Sequence, residues 1–292
     1  MAIIVNNNEI NKIHYKNSKR GLDFEIVDLR VFMSTRPHTL LSKDYRLTFW
    51  AILYIVEGEG HHSIDFIEYP YKAGDIIFIQ KNQVHHFVVN ESAKGYVIHI
   101  NDPFFYEMKG VNSEIFHEFA DASFGSPILT VDISGECTNR RLIDLIYKEY
   151  QQQSEKFNAQ LIATLFQGFI LSLHGQAQRD LKGKMSNDYE HFKEFRQLVE
   201  ENYTTIKTVE EYALKMNLTK KTINCATRSI IDSSAKQFII DRIILEIKRY
   251  LTQGELMNYE IATLLGFDEA ANMTRFFKRY VGMSPKSFRE SL

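Results

Sequence analysis

The chain has only two cysteines, Cys137 and Cys225, among 292 residues. That is too few for a disulfide framework and suits a reducing compartment. No apolar stretch approaches the ~18 residues that a membrane-spanning helix needs. The longest apolar clusters, Ala51–Val56 and Ile76–Ile79, read as buried strands. The run Met1–Asn8 has no basic segment ahead of an apolar one, so it does not read as a secretory signal, and a cytoplasmic location is expected. No phosphate-cradling glycine motif occurs, and no Ser/His/Asp or Cys/His constellation can be identified. A catalytic function is therefore not expected. The net charge of −2 gives no hint of nucleic acid.

The distribution of charge says more than its sum. From Tyr189 onward there is a small basic excess, and before it a small acidic one. Arg275, Lys278, Arg279, Lys286 and Arg289 lie between Ala271 and Arg289 with no acid among them. Such a patch suits a phosphate backbone, although a solvated helix face would read the same way.

With 44% hydrophobic and 25% charged residues the chain can bury real cores. Its length suits about two domains of ~100–200 residues. Residues up to Asn101 read as strands and turns. Ala51–Val56 ends at the turn Glu57-Gly58-Glu59-Gly60. Strands are expected at His62–Ile67, Ile76–Ile79, Val84–Val89 and Tyr96–Ile100. Short strands at near-regular spacing suggest a sandwich or small barrel. The pattern then turns helical, with Arg140–Gln153 and Phe157–Leu173 at helix spacing. The second has an apolar face wide enough to meet a second subunit as well as its own domain. The fold class is thus α+β multidomain. A β-barrel over about 20–101 with helices over about 112–174 makes up residues 1–174. Polar residues 175–188 form a linker, and 189–292 an all-α domain.

The all-α region repeats itself. Asp232-Ser233-Ser234-Ala235-Lys236-Gln237-Phe238 matches Gly282-Met283-Ser284-Pro285-Lys286-Ser287-Phe288 at an offset of 50, and Glu211-Tyr212-Ala213 matches Glu260-Ile261-Ala262. Each copy reads as helix, tight turn, helix, then a Ser-x-Lys-x-Phe continuation. The turns fall at Asn217 and Gly266, residue types that tolerate left-handed backbone. Thr208-Val209-Glu210-Glu211 is a capping box, and Ser284-Pro285 a helix start. A long helix, Ala235–Gln253, is closed by Gly254.

In the second copy Met273, Phe277 and Tyr280 share an inward face. Ala271, Arg275 and Lys278 lie opposite, flanked by Asn272, Thr274 and Arg279. In the first copy Ile223, Thr227 and Ile230 face inward. Lys221, Cys225 and Arg228 face outward, with Lys220 and Asn224 at the edges. Arginine can read guanine bidentately, asparagine can read adenine, and alanine can touch a thymine methyl. Arg275, Asn272, Lys221 and Asn224 are therefore candidates for bases, and Lys220, Arg228, Lys278 and Arg279 for phosphates. Two such units in tandem point to double-stranded DNA as the partner.

Over Glu260–Arg289 the chain resembles the AraC/XylS family of bacterial regulators. Glu260-Ile261-Ala262, Gly266-Phe267, Arg275-Phe276-Phe277-Lys278-Arg279 and Gly282-Met283-Ser284-Pro285 stand where that family's signature has them. The first copy departs from it: Thr227 stands at a usual Phe, Cys225 at a frequent Arg, and Asp232-Ser233-Ser234-Ala235 at a usual Gly-x-Ser-Pro. The resemblance implies a sequence-specific transcription regulator, an activator that meets RNA polymerase. It also implies an N-terminal cupin-like sensor barrel and a homodimer. Leu53–Gly60, Gly74–Ile79 and His85 resemble such a barrel, with Arg46, Trp50, Tyr54 and His85 as candidate contacts for a small-molecule effector.

Two other readings stay open. The barrel could serve only dimerisation or a partner protein. A cupin enzyme with a DNA-binding tail would need a His-x-His and a Glu before Gly58, but Leu47–Val56 holds neither His nor Glu. His85 alone does not make a transition-metal site, so no metal and no cofactor are expected. Of His61-His62 and of His85-His86, alternation along a strand lets at most one side chain of each pair point inward.

Overall fold

The computed structural model describes residues 3–4, 12–14, 22–88, 92–108, 127–132, 137–152, 158–181, 187–254 and 256–291. The described residues through Asp180 form one compact unit, and those from Leu181 a second.

In the first unit the strands are β1 (Ile3–Ile4), β2 (Lys12–His14), β3 (Phe24–Asp28), β4 (Tyr45–Leu47), β5 (Trp50–Glu57) and β6 (Glu59–Ile64). They continue with β7 (Ile67–Lys72), β8 (Asp75–Ile79), β9 (Val84–Phe87), β10 (Lys94–Ile100) and β11 (Ile128–Thr130). They form two sheets, ordered β1-β2-β4-β9-β6-β7 and β11-β8-β5-β10-β3. Strand β5 is buried on both faces. Leu53 and Ile55 meet Leu47, Ile64 and Phe87 of the other sheet. Ile52 and Tyr54 meet the helices Thr138–Tyr150 and Ala159–Leu181 through Ile146, Phe166 and Phe169.

Of the sandwich or small barrel expected, the described residues form a pair of facing sheets, with no closed barrel among them. Strand β3 does not continue to a closing edge, because Asp28 accepts from Arg30 N and Val31 N and turns the chain into the helix Leu29–Ser34. At the other edge β11 has three residues. The strand expected at His62–Ile67 is also corrected. The chain resumes pairing at Glu59, and Asp65 and Phe66, both at positive φ, form the turn of the β6–β7 hairpin. The Asp65 carboxylate accepts from Val84 N and Gln83 Nε2, which holds this two-residue turn in place. The strand expected at Val84–Val89 stops at Phe87.

Part of the expected linker is helix. Residues 175–181 complete Ala159–Leu181, and Asn187 and Asp188 open the next helix. Polarity is no bar here, since Gln and Arg are good helix formers. Residues 182–186 lie outside the described ones, as do 112–126, 133–136 and 153–157 of the expected helical region.

The second unit is all helix: Asn187–Asn202, Val209–Lys215, Lys220–Ile231, Ala235–Gln253, Asn258–Leu264, Ala270–Val281 and Pro285–Glu290. The connecting helix Ala235–Gln253 meets Asn187–Asn202 through Phe238 against Phe192 and Phe195, and through the ion pair of Arg242 with Glu200. Arg242 donates to Glu200 and Glu246, Arg249 also donates to Glu246, and Arg242 covers the Tyr203 ring.

Candidate nucleic-acid interface

The turns of the two repeats close with the same backbone hydrogen bond. In the first turn Leu218 N donates to Ala213 O at 3.0 Å, and in the second Phe267 N donates to Ala262 O at 2.9 Å. Asn217 and Gly266 take the left-handed backbone that closes these turns, with φ of 52° and 66°. Serine starts both continuations: Ser234 accepts from Gln237 N, and Ser284 from Ser287 N. The two entry helices are capped differently. Met257 N donates to the Glu260 carboxylate at 2.7 Å. At the first entry the Glu211 carboxylate instead takes the Thr208 hydroxyl, while Thr208 accepts from Glu211 N.

The helix Ala270–Val281 buries Met273 and Phe277 completely, with Phe277 edge-on to Phe288. Tyr280 is half-buried. Ala271, Arg275, Lys278 and Arg279 are exposed, and Asn272 and Thr274 half-buried. Arg275 Nη2 donates to Asn272 Oδ1 at 2.7 Å, and its Nε to Ala271 O at 3.4 Å. The guanidinium is thus held over the first turn of the helix, the end that meets base edges in this class of motif.

The helix Lys220–Ile231 buries Ile223, Ala226 and Thr227. Thr227 stands in the core because its hydroxyl donates to Ile223 O at 2.8 Å, so no buried donor is stranded. Lys220, Lys221, Cys225 and Arg228 are exposed. Two candidates are engaged within the protein. Lys220 pairs with Glu210. The Asn224 side chain donates to Lys220 O at 2.9 Å and accepts from Ala235 N at 3.2 Å, so both ends of its amide are occupied.

A helix-turn-helix domain model matches residues 212–291, and an AraC-like ligand binding domain model matches residues 39–170. The chain belongs to the AraC family. It is 24% identical over 133 residues to the Msm operon regulatory protein of Streptococcus mutans, covering 45% of each chain. It is 21% identical over 147 residues to the raffinose operon transcriptional regulatory protein of Pediococcus pentosaceus, covering 50% of this chain and 53% of that one. The chain thus spans about half the length of the curated relatives it matches. ToxT of Vibrio cholerae overlays with a TM-score of 0.43 at 14% identity, covering 92% of this chain and 98% of that one.

The AraC-like first unit divides the four expected effector contacts. His85 lies between the sheets, with Phe87 beside it. Tyr54 and Trp50 lie on the other face of their sheet, in the core shared with the helices. Arg46 is buried, but alternation along β4 turns it away from the face of Tyr45 and Leu47. Because β5 is apolar on both faces, its sequence cannot say which face meets which layer.

The structure gives His85 a partner that the sequence did not. His62 Nε2 and His85 Nδ1 lie 3.2 Å apart, both rings buried. Burial holds both imidazoles neutral, with His85 pushed down to about 3 and His62 well below its usual value. Whichever ring donates, the outer nitrogens, His62 Nδ1 and His85 Nε2, are one donor and one acceptor. Among the described residues neither has a partner, and neither does the buried hydroxyl of Tyr45, which sits directly opposite His85. Strand alternation sends His61 to the exposed face. His86 pairs with Asp44 at 2.6 Å. Among the described residues no group of three or more His, Cys, Asp or Glu could hold a metal ion, and no helix is long and apolar enough to cross a membrane.

Proposed function

We propose that this AraC-family regulator binds duplex DNA with the helices Lys220–Ile231 and Ala270–Val281 and activates transcription in response to a small effector. The carrying observation is the pair of helix-turn-helix units with the same turn hydrogen bonds, each facing solvent with basic residues. Arg275, Asn272 and Lys221 take the base edges, with Ala271 and Thr274 beside them. Lys278, Arg279, Arg228 and Lys220 take phosphates. Asn224 is assigned to the fold, since its amide is engaged at both ends. The connecting helix Ala235–Gln253, 19 residues long, would span roughly 28 Å at ~1.5 Å per residue. That length suits units placed about one turn of DNA apart.

In this reading residues 1–174 form the sensor and 189–292 the DNA-binding domain. The effector lies between the sheets, against His62, His85 and Tyr45. A neutral donor and acceptor suit an uncharged, hydroxyl-bearing molecule better than an ion, and a raffinose operon regulator among the relatives fits that class. Leu145, Leu161 and Leu171, exposed on the two long helices, support a homodimer. The protein is cytoplasmic, meets RNA polymerase at its promoters and catalyses nothing.

The test is selection of bound duplexes from a random pool by the full chain, followed by affinity measurements across salt concentrations. One enriched motif, bound with steep salt dependence, is expected. Binding without an enriched motif would refute the reading.

A further inference from the structure

We propose that Lys207 is a positioning residue that fixes the separation of the two recognition helices, and so the spacing of the DNA elements they read. Lys207 precedes the first helix-turn-helix unit, one residue before the cap Thr208. Its Nζ donates to Thr204 O at 2.8 Å, to Leu265 O at 2.8 Å and to Gly266 O at 3.0 Å. The first carbonyl belongs to its own turn. The other two belong to the turn of the second unit, 58 and 59 residues further along.

An ammonium has three N–H donors, and here each has an acceptor. Leu265 O and Gly266 O lie at the C-terminal end of Asn258–Leu264, where carbonyls lack helical partners and the helix end attracts a cation. Lys207 therefore caps a helix of the other repeat. The Phe267 ring lies 5.1 Å from the ammonium. Burial lowers the Lys207 pKa, and the nearby Asp268 and Glu211 oppose that shift.

The backbones meet at the same place. A Cβ on Gly266 would lie 2.0 Å from Thr204 O, an overlap that neither backbone can relieve without parting. Glycine thus serves two needs at this position, the left-handed turn and the close approach. The connecting helix Ala235–Gln253 joins the two units covalently at one place, and Lys207 with Gly266 joins them again at another. Two attachments turn a hinge into a frame. A frame presents its recognition helices at one spacing, whereas a hinge accepts several.

This inference rests on the reading that both helices engage DNA, and the experiment separates the two. Full-length wild type, Lys207→Met and Gly266→Ala are each put through selection from a random duplex pool. Affinities are then measured on the selected site with one base pair added or removed between its two elements. Wild type is expected to select two elements at one separation and to lose tenfold or more on the altered spacings. Both variants should keep the elements but discriminate spacing less than threefold. Ile223→Val, which trims the core of the first unit away from this contact, serves as the stability control and should keep wild-type spacing. If Lys207→Met does not fold, Lys207→Gln replaces it, since its amide cannot reach all three carbonyls. Wild-type spacing selectivity in the Lys207 and Gly266 variants would overturn the proposal. Failure of wild type to select any motif would instead overturn the DNA-binding reading.

Discussion

Arg275 Nη2 and Asn272 Oδ1 are hydrogen-bonded at 2.7 Å, so the two side chains assigned to base edges on the second recognition helix are held as one unit. Their contributions to DNA affinity should not add. Arg275→Ala is expected to cost about 1–3 kcal/mol on the selected duplex and to relax preference at its base pair. Asn272→Ala should cost less in the Arg275→Ala background than in wild type. A double-mutant cycle on selected and scrambled DNA checks this, and strictly additive losses would show that the pair acts separately.

The exposed cations divide by whether a carboxylate already holds them. Lys278→Ala should weaken binding similarly on all sequences and reduce the salt slope by about 0.9, as for one lost phosphate contact. Lys220 is paired with Glu210, so Glu210→Ala should tighten binding and steepen the slope. Titrations at several salt concentrations read both. A Glu210→Ala protein that binds more weakly would remove Lys220 from the phosphate set.

Asn224 offers a contrast with Asn272. It stands at an edge of a recognition helix, yet it accepts from Ala235 N at the start of the connecting helix. Asn224→Ala should lower folding stability by about 1 kcal/mol, through the lost side-chain bond to a helix start. The motif preferred from the random pool should stay the same. A changed base preference with unchanged stability would return Asn224 to the base-reading set.

The buried imidazoles make stability depend on pH. In the unfolded chain His62 and His85 take up protons near pH 6.5, while in the folded protein both are held below that value. Stability is therefore full above pH 6.5 and falls as the pH drops through the window down to about 3, where His85 titrates in place. Each buried histidine contributes at most about 1.4 kcal/mol per pH unit there. Denaturant unfolding of His62→Phe and His85→Leu between pH 4.5 and 7.5 should show a shallower slope than wild type. An unchanged slope would mean that neither ring stays neutral.

Much of the second unit was legible because its signals are local. A period of 3.6 residues places Met273 and Phe277 inside and Ala271, Arg275 and Lys278 outside, and the structure has them so. Asn217 and Gly266 announce left-handed turns by residue type alone. Long-range relations were not legible. The three carbonyls around Lys207 include two that come from 58 and 59 residues away, and no pattern near Lys207 points to them. His62 and His85 meet across 23 residues of chain, and alternation could say only that at most one ring of each pair points inward. Phe66 reads as a strand former, and the Asp65 carboxylate bound to Val84 N overrides that preference.

The first recognition helix ends on Asp232 at φ 51°, and the second on Gly282 at φ 85°. For glycine this backbone carries no steric cost, while a side chain there costs about 1 kcal/mol or more. The two repeats are therefore unequal springs cut to one shape. A difference of about 1 kcal/mol would correspond to an about fivefold higher open population at the last turn of the first helix. Under heat or pulling force this turn should let go first, with its counterpart still seated, and amide exchange near Asp232 should outrun that near Gly282. Each molecule carries its own reference for the comparison.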